Sequence, residues 1–233
     1  MTDRRLTAVS AIALAIAFNV PFTILGATYD YPDVLRRPAG EALDLFAAGG
    51  ASLILTWHAF ALTALAMVPV AIALSITRER IAARPMLAIG SAIFGALAGF
   101  AQAIGLWRWV FVIPGLARVH ADPAASADAK LATERAFDVL NQYGGVAIGE
   151  HLGQLLTAAF LVTLALLQWS EGARKTAWTG WLAGAAIAIG TGEGLAIALG
   201  RSGETFGLIT IVGFAGFTVW LIATGVGLLR RPS

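Results

Sequence analysis

The chain has 233 residues, of which 58% are hydrophobic and only 13% are charged. Soluble domains average nearer a quarter charged residues, so this composition does not fit a soluble globular domain and indicates a membrane protein. The chain contains no cysteine, which excludes disulfides, thiolate metal ligands and thiol catalysis.

The apolar residues fall into six blocks, and each block is long enough to cross a hydrocarbon core of roughly 30 Å as a helix. The predicted spans are residues 6–27, 51–76, 85–107, 144–169, 177–199 and 208–229. Helices are predicted because backbone groups in lipid must be hydrogen-bonded within their own segment. We therefore expect an all-α membrane protein with six transmembrane helices in a single domain.

The basic residues are partitioned by side if the N-terminus is cytoplasmic. The predicted inner segments then carry Arg4, Arg5, Arg78, Arg80, Arg84, Arg174, Lys175, Arg230 and Arg231. The acidic residues of the same segments are Asp3, Glu79 and Glu171. This bias follows the positive-inside rule and predicts that both termini are cytoplasmic. It also explains why the net charge of +2 does not indicate a nucleic-acid partner.

Two long outer connections are predicted, at residues 28–50 and 114–143. Each is expected to contain one short helix on the outer face, at residues 38–46 in the first and 127–143 in the second. A Gly-Gly pair follows each helix and is expected to end it, because glycine readily adopts the left-handed conformation found there. The polar and aromatic run 29–33 is expected either to cap a cavity or to form a simple surface loop.

The span after each Gly-Gly pair carries a histidine, which is His58 in the second span and His151 in the fourth. The two spans run in the same direction, so the pattern predicts a parallel internal repeat. The alternative is chance similarity within an apolar chain. Counting from the inner arginines places both histidines roughly 30–35 Å above the inner charge ring, near the outer edge of the hydrocarbon. An ionisable side chain at membrane depth is costly and by default indicates function.

Other polar residues approach the same depth. Glu150 and Gln154 are four residues apart and therefore share one face of the fourth span. The other members of this group are Asn19, Gln102 and Glu193. Together these residues predict an outward-facing polar pocket that binds a cofactor, a metal or a small ligand.

Bis-histidine haem is the sharpest form of this hypothesis. His58 and His151 would be the two axial ligands of a b-type haem, and Arg108 would meet its propionates. The alternative for each histidine is an ordinary hydrogen bond to a neighbouring helix or to water. The third histidine, His120, is expected to be solvated in an outer loop.

Three further functions remain open. A zinc hydrolase would use His58 and His151 with a carboxylate from Glu150 or Glu193 as metal ligands. A proton- or ion-coupled transporter would use the two glutamates and His151, with the glycine-rich run 190–194 locally unwound. A non-catalytic subunit would bind a partner membrane protein or form a homodimer through its glycine-rich helix faces.

Four segments carry a family resemblance. They are Tyr29-Asp-Tyr-Pro-Asp-Val-Leu-Arg36, Phe46-Ala-Ala-Gly-Gly50, Leu106-Trp-Arg-Trp-Val110 and the run from Gly144-Gly145 to Glu150-His151. The chain resembles an uncharacterised family of bacterial integral membrane proteins, classed as a domain of unknown function. The resemblance implies six helices and a bacterial inner membrane, and it brings no activity and no catalytic residues.

Overall fold

The computed structural model describes residues 2–230, so Arg231 of the predicted inner charge ring lies outside the described residues, as does the side chain of Asp3. All regular structure in the described part of the chain is helical. Six helices are long and apolar enough to cross a membrane: Arg4–Tyr29, Ala39–Ser75, Pro85–Ala121, Ala127–Ser170, Arg174–Ala198 and Glu204–Arg230. The prediction of an all-α protein with six membrane-spanning helices is confirmed.

The helices are numbered in chain order. They are α1 (Thr2–Tyr29), α2 (Ala39–Ser75), α3 (Arg78–Ala83), α4 (Pro85–Phe111), α5 (Ile113–Ala121), α6 (Ala127–Leu140), α7 (Gly153–Ser170), α8 (Arg174–Gly190), α9 (Gly192–Ala198) and α10 (Glu204–Arg230). A 3₁₀ turn at Asp33–Arg36 precedes α2, and a π-helix at Asn141–Leu152 joins α6 to α7.

The six spans pack as a closed ring. Each span contacts its neighbours in the order α1, α2, α4, α7, α8, α10, and α10 returns to contact α1. Gly225 near the end of α10 lies against the Ala8 carbonyl of α1, so the start of α1 and the end of α10 are at one end of the ring. We call this the terminal end, and we call the opposite end, which holds residues 30–38 and 199–203, the loop end.

Apolar side chains fill the ring differently in its two halves. In the terminal half, one buried cluster joins α1, α2, α7 and α10 through side chains such as Leu14, Met67, Phe160 and Trp220. In the loop half, a second buried cluster packs α1, α2, α4, α5 and α6 together to one side of the ring. The loop half therefore leaves space on its other side.

The prediction that a Gly-Gly pair ends each short helix is confirmed at the first pair and wrong at the second. At the first pair, Gly50 has φ 56° and ψ −150°, and helical geometry resumes directly after it. The result is a kink within α2, at a backbone conformation that side chains other than glycine rarely adopt. At the second pair, α6 passes without a break into the π-helix, which contains Gly144 and Gly145. Glycine permits a helix end but does not require one.

The second connection also differs from its prediction. The third span continues beyond residue 107, because α5 follows α4 after the single residue Val112. Pro114 is at the start of α5, where a missing backbone N–H costs nothing. Residues 114–143 therefore form two helices joined by a short turn, rather than a loop with one helix.

Candidate functional site

A cavity of about 790 Å³ lies inside the loop half of the ring. Its lining comes from α1, α2, α4, α7, α9, α10, the π-helix, and the two segments at the loop end. Its volume is within the range of small-molecule sites, roughly 300–1,000 Å³. Toward the terminal end, the packed cluster around Leu14, Met67 and Phe160 follows below the cavity.

One wall of the cavity is aromatic. Trp57 of α2 and Trp109 of α4 stack with ring centroids 4.8 Å apart and an interplanar angle of 10°. Tyr31 stands edge-on to Trp57 at 5.3 Å and to Phe60 at 5.9 Å. Both indole nitrogens are buried and have no hydrogen-bond partner among the described residues. Trp57 and Trp109 are fully buried, so the wall presents the partly exposed Tyr31 ring to the cavity, and the packed indoles behind it fix the position of that ring.

Three charged side chains meet at the loop end of the cavity. Arg36 donates from Nη2 to Glu150 Oε2 at 2.5 Å and from Nε to Glu193 Oε1 at 3.0 Å. The side chains are 30%, 22% and 18% exposed, respectively. Burial disfavours the charged guanidinium, but the two carboxylates outweigh it and raise the pKa of Arg36 above its usual value. Arg36 therefore remains a cation.

Residues 30–37 bring Arg36 to this position, and we call them the cap. Val34 and Leu35 are buried beneath it, and Asn141 of the π-helix donates from Nδ2 to the Leu35 carbonyl at 3.0 Å. Tyr31, also in the cap, faces the cavity, and burial raises the pKa of its phenol, which stays protonated. The segment therefore covers the cavity and is not a simple surface loop.

Arg108 lines the cavity, but its guanidinium bonds to other groups of the protein. It donates to the Gly105 carbonyl and, from Nη2, to Asn141 Oδ1 at 2.9 Å, and its guanidinium lies 5.0 Å from the Trp109 ring centre. A Cβ at Gly145 would be 2.5 Å from Nη2. Gly145 thus lets the guanidinium pack on the π-helix. Arg108 ties α4 to the π-helix instead of extending toward a propionate.

The predicted polar pocket corresponds to this cavity in most of its residues. Glu150, Glu193, Arg108, Asn19, Gln102 and Gln154 all line it. The amides also link neighbouring helices. Asn19 Nδ2 donates to Thr218 Oγ1 at 3.0 Å between α1 and α10, and Gln102 Nε2 donates to Thr157 Oγ1 at 2.8 Å between α4 and α7.

The two histidines do not line the cavity. The His58 ring stands edge-on to Phe111 of α4 at 6.4 Å. His151 Nδ1 lies 3.1 Å from the Thr191 carbonyl, at the break between α8 and α9. Adjacent residues on a helix point in different directions. Trp57 and Glu150, which directly precede the two histidines, line the cavity, and the histidines therefore point away from it.

This geometry does not support the haem and zinc hypotheses. A bis-histidine haem needs both ligands on one site, and His58 and His151 each contact a different helix outside the cavity. Within residues 2–230, no three histidine or carboxylate side chains are placed to hold a metal ion. We therefore derive no chemistry from either group.

His120 is buried, contrary to the expectation of a solvated loop residue. Its Nδ1 lies 2.8 Å from Asp44 Oδ1 of α2, and its Nε2 lies 2.9 Å from Glu134 Oε1 of α6. An imidazole can donate to both carboxylates only when it is doubly protonated. The ring joins α2, α5 and α6, and no pattern of residues indicated this three-helix contact.

Asn141, which joins Arg108 to the cap, was not among the predicted site residues. No pattern marked this residue. Arg36 carried a weak signal, because it is a cation in a polar outer run opposite two glutamates at membrane depth.

These features define an integral membrane protein whose six-helix ring encloses a capped, partly charged cavity. The chain belongs to the family described as Domain of unknown function (DUF4386), whose model matches residues 6–225. The predicted resemblance to an uncharacterised family is thereby confirmed. No curated protein and no solved structure shows a significant match to the chain.

Proposed function

We propose that this protein binds a small amphipathic organic molecule in the cavity at the loop end. The observation that carries the proposal is one cavity of about 790 Å³ that combines an aromatic wall with a charged cluster. The cluster is assembled from the cap, the π-helix and α9, three elements far apart in the chain. Ligand sites typically combine apolar walls with a few converging polar groups.

We further propose that the terminal end is cytoplasmic, so that the cavity opens toward the outside of a bacterial inner membrane. The partition of basic residues supports this orientation. At the terminal end, Arg80 pairs with Glu171 at 2.5 Å, and the neighbouring Arg78 and Arg84 are exposed. A ligand would then reach the cavity from outside the cell.

A cavity-filling variant tests the binding proposal. Ile211 of α10 lines the cavity, whereas the adjacent Val212 does not line it and is 66% exposed. We expect Ile211→Trp to weaken ligand binding at least about tenfold, since the indole occupies the space that the ligand needs. Binding is measured by a thermal-shift screen of small amphipathic molecules on the purified protein, followed by titration of each compound that stabilises it.

Val212→Trp is the matched control, because it adds the same bulk to the neighbouring residue on the same helix. It is expected to bind the stabilising compounds as the unmodified protein does. If no compound in the screen stabilises the protein, or if both variants bind equally well, the cavity is not the ligand site and the proposal is wrong.

A further inference from the structure

The geometry points to an organic cation as the ligand of this cavity, with the Arg36 side chain acting as a tethered occupant of the cation subsite formed by Glu150 and Glu193. This inference rests on the proposed function and specifies the chemical class of the ligand. Its first support is the origin of the three side chains. The carboxylates belong to the π-helix and α9 within the ring, whereas the guanidinium enters from the cap.

The carboxylate pair has unused capacity to accept hydrogen bonds. Arg36 binds Glu150 through Oε2, whereas Glu150 Oε1 is buried and has no hydrogen-bond partner among the described residues. A buried carboxylate oxygen without a partner is costly. A ligand with several N–H donors would satisfy both oxygens of Glu150 together with Glu193, which Arg36 does not, because its Nη1 donates to the Leu35 carbonyl of the cap.

The charges around the cavity favour a cation once Arg36 moves away. The charged residues of the lining are Asp33, Arg36, Arg108, Glu150, Glu193, Arg201 and Glu204. Without the Arg36 guanidinium, four carboxylates face two arginines. One of these arginines, Arg108, already donates to Gly105 and Asn141. An incoming anion would be repelled by the acidic majority, whereas an incoming cation replaces the charge that Arg36 withdrew.

The aromatic wall favours a cation that carries an apolar group. Tyr31 lies close enough to Glu150, Glu193 and Arg36 to interact with their charges, and the face of a phenol ring attracts cations within about 6 Å. Phe22 also lines the cavity and stands edge-on to Tyr31 at 5.4 Å, so these two partly exposed rings offer a surface for an aromatic or aliphatic group. The ligand class is therefore a guanidinium or ammonium group joined to an apolar body.

Displacement of Arg36 does not require the cap to unfold. The cap is anchored by buried Val34 and Leu35 and by the bond from Asn141 to the Leu35 carbonyl. Arg36 Nη1 also donates to that carbonyl at 3.3 Å, but the Asn141 bond and the burial remain when the Arg36 side chain rotates away. Rotation of that side chain alone would release both glutamates. Arg36 is then an intramolecular competitor, present at the high effective concentration that a short tether provides. Its removal should strengthen the binding of a cation.

The experiment compares three probes that share one apolar body: phenylbutylguanidinium, phenylbutanol and phenylbutyrate. Isothermal titration in lipid nanodiscs measures their dissociation constants for the unmodified protein and for Arg36→Gln. We expect Arg36→Gln to bind phenylbutylguanidinium at least about tenfold more tightly than the unmodified protein does, and to show little change for phenylbutanol. Arg36→Lys retains a tethered cation and should show no such gain.

Arg37→Gln is the matched control, because Arg37 is the next residue of the cap and pairs with exposed Asp30 instead of the glutamates. It should leave all three affinities unchanged. The double variant Glu150→Gln/Glu193→Gln removes the acceptors and should abolish the preference for phenylbutylguanidinium over phenylbutanol, which tests the subsite even if Arg36→Gln does not fold.

Three results would overturn the inference. The first is that Arg36→Gln binds phenylbutylguanidinium no more tightly than the unmodified protein does, and the second is that phenylbutyrate binds as tightly as phenylbutylguanidinium or more tightly. The third is that the double glutamine variant still prefers phenylbutylguanidinium to phenylbutanol. If none of the probes binds, the cation assignment is also wrong. The broader proposal of a ligand cavity is judged separately, by the Ile211→Trp and Val212→Trp comparison with uncharged and anionic compounds.

Discussion

Trp109→Ala is expected to lower the free energy of unfolding by about 3–5 kcal/mol, the range found for truncating a large buried aromatic side chain. Trp109 is fully buried on α4 and stacks on Trp57 of α2 at 4.8 Å. It also contacts Tyr29 of α1 at 5.6 Å and Phe137 of α6 at 5.7 Å. One side chain thus joins four helices, and its loss leaves a cavity that none of them can fill alone.

The measurement is unfolding of the purified protein in mixed micelles with increasing denaturing detergent, followed by the remaining tryptophan fluorescence. Phe111→Ala is the control, since Phe111 is on the same helix but is 71% exposed. We expect that control to change stability by no more than about 0.5 kcal/mol. Equal losses in the two variants would show that the aromatic cluster does not hold the loop half together.

Gly105→Leu is expected to destabilise the protein by about 1–3 kcal/mol and to abolish ligand binding in the cavity. A Cβ at Gly105 would lie 2.7 Å from the Gly149 Cα and 3.0 Å from the Gly144 carbonyl oxygen. Both are backbone atoms of the π-helix, so the clash can be relieved only by moving that helix away from α4. Glu150 is the next residue after Gly149 and would move with it.

Gly90→Leu provides the comparison on the same helix, because a Cβ at Gly90 meets nothing within 4 Å. Leucine favours a helix more than glycine does, so this variant should be as stable as the unmodified protein or slightly more stable. Thermal unfolding and ligand titration of both variants test the prediction. A Gly105→Leu protein that unfolds and binds like the Gly90→Leu protein would contradict the close packing of α4 against the π-helix.

The sequence predicted those features that depend on length and depth. Bilayer thickness sets the length of a span, so six apolar blocks defined six helices. The fixed rise of a helix relates residue number to depth, and for this reason Asn19, Gln102, Glu150, Gln154 and Glu193 were expected together and do line one cavity.

Features that depend on helix rotation or on irregular backbone were not predictable in the same way. The depth of a residue does not determine the direction of its side chain. His58 and His151 were therefore expected to line the cavity, whereas the preceding residues Trp57 and Glu150 line it instead. The position of Arg36 depends on how the cap folds, and no periodic pattern describes residues 30–37. The π-helix escaped prediction because the residues that form it also suit an α-helix or a helix end.

The order of the ring has a consequence for how the protein is made. Each span packs on the span inserted just before it, so assembly can follow synthesis, one helix at a time. The exception is the contact between α1 and α10, where Asn19 bonds Thr218. Until α10 has been made, the Asn19 amide can donate only to the Ala15 carbonyl within α1, and the cavity lacks one wall. A nascent chain therefore encloses this cavity only after its sixth span has been made.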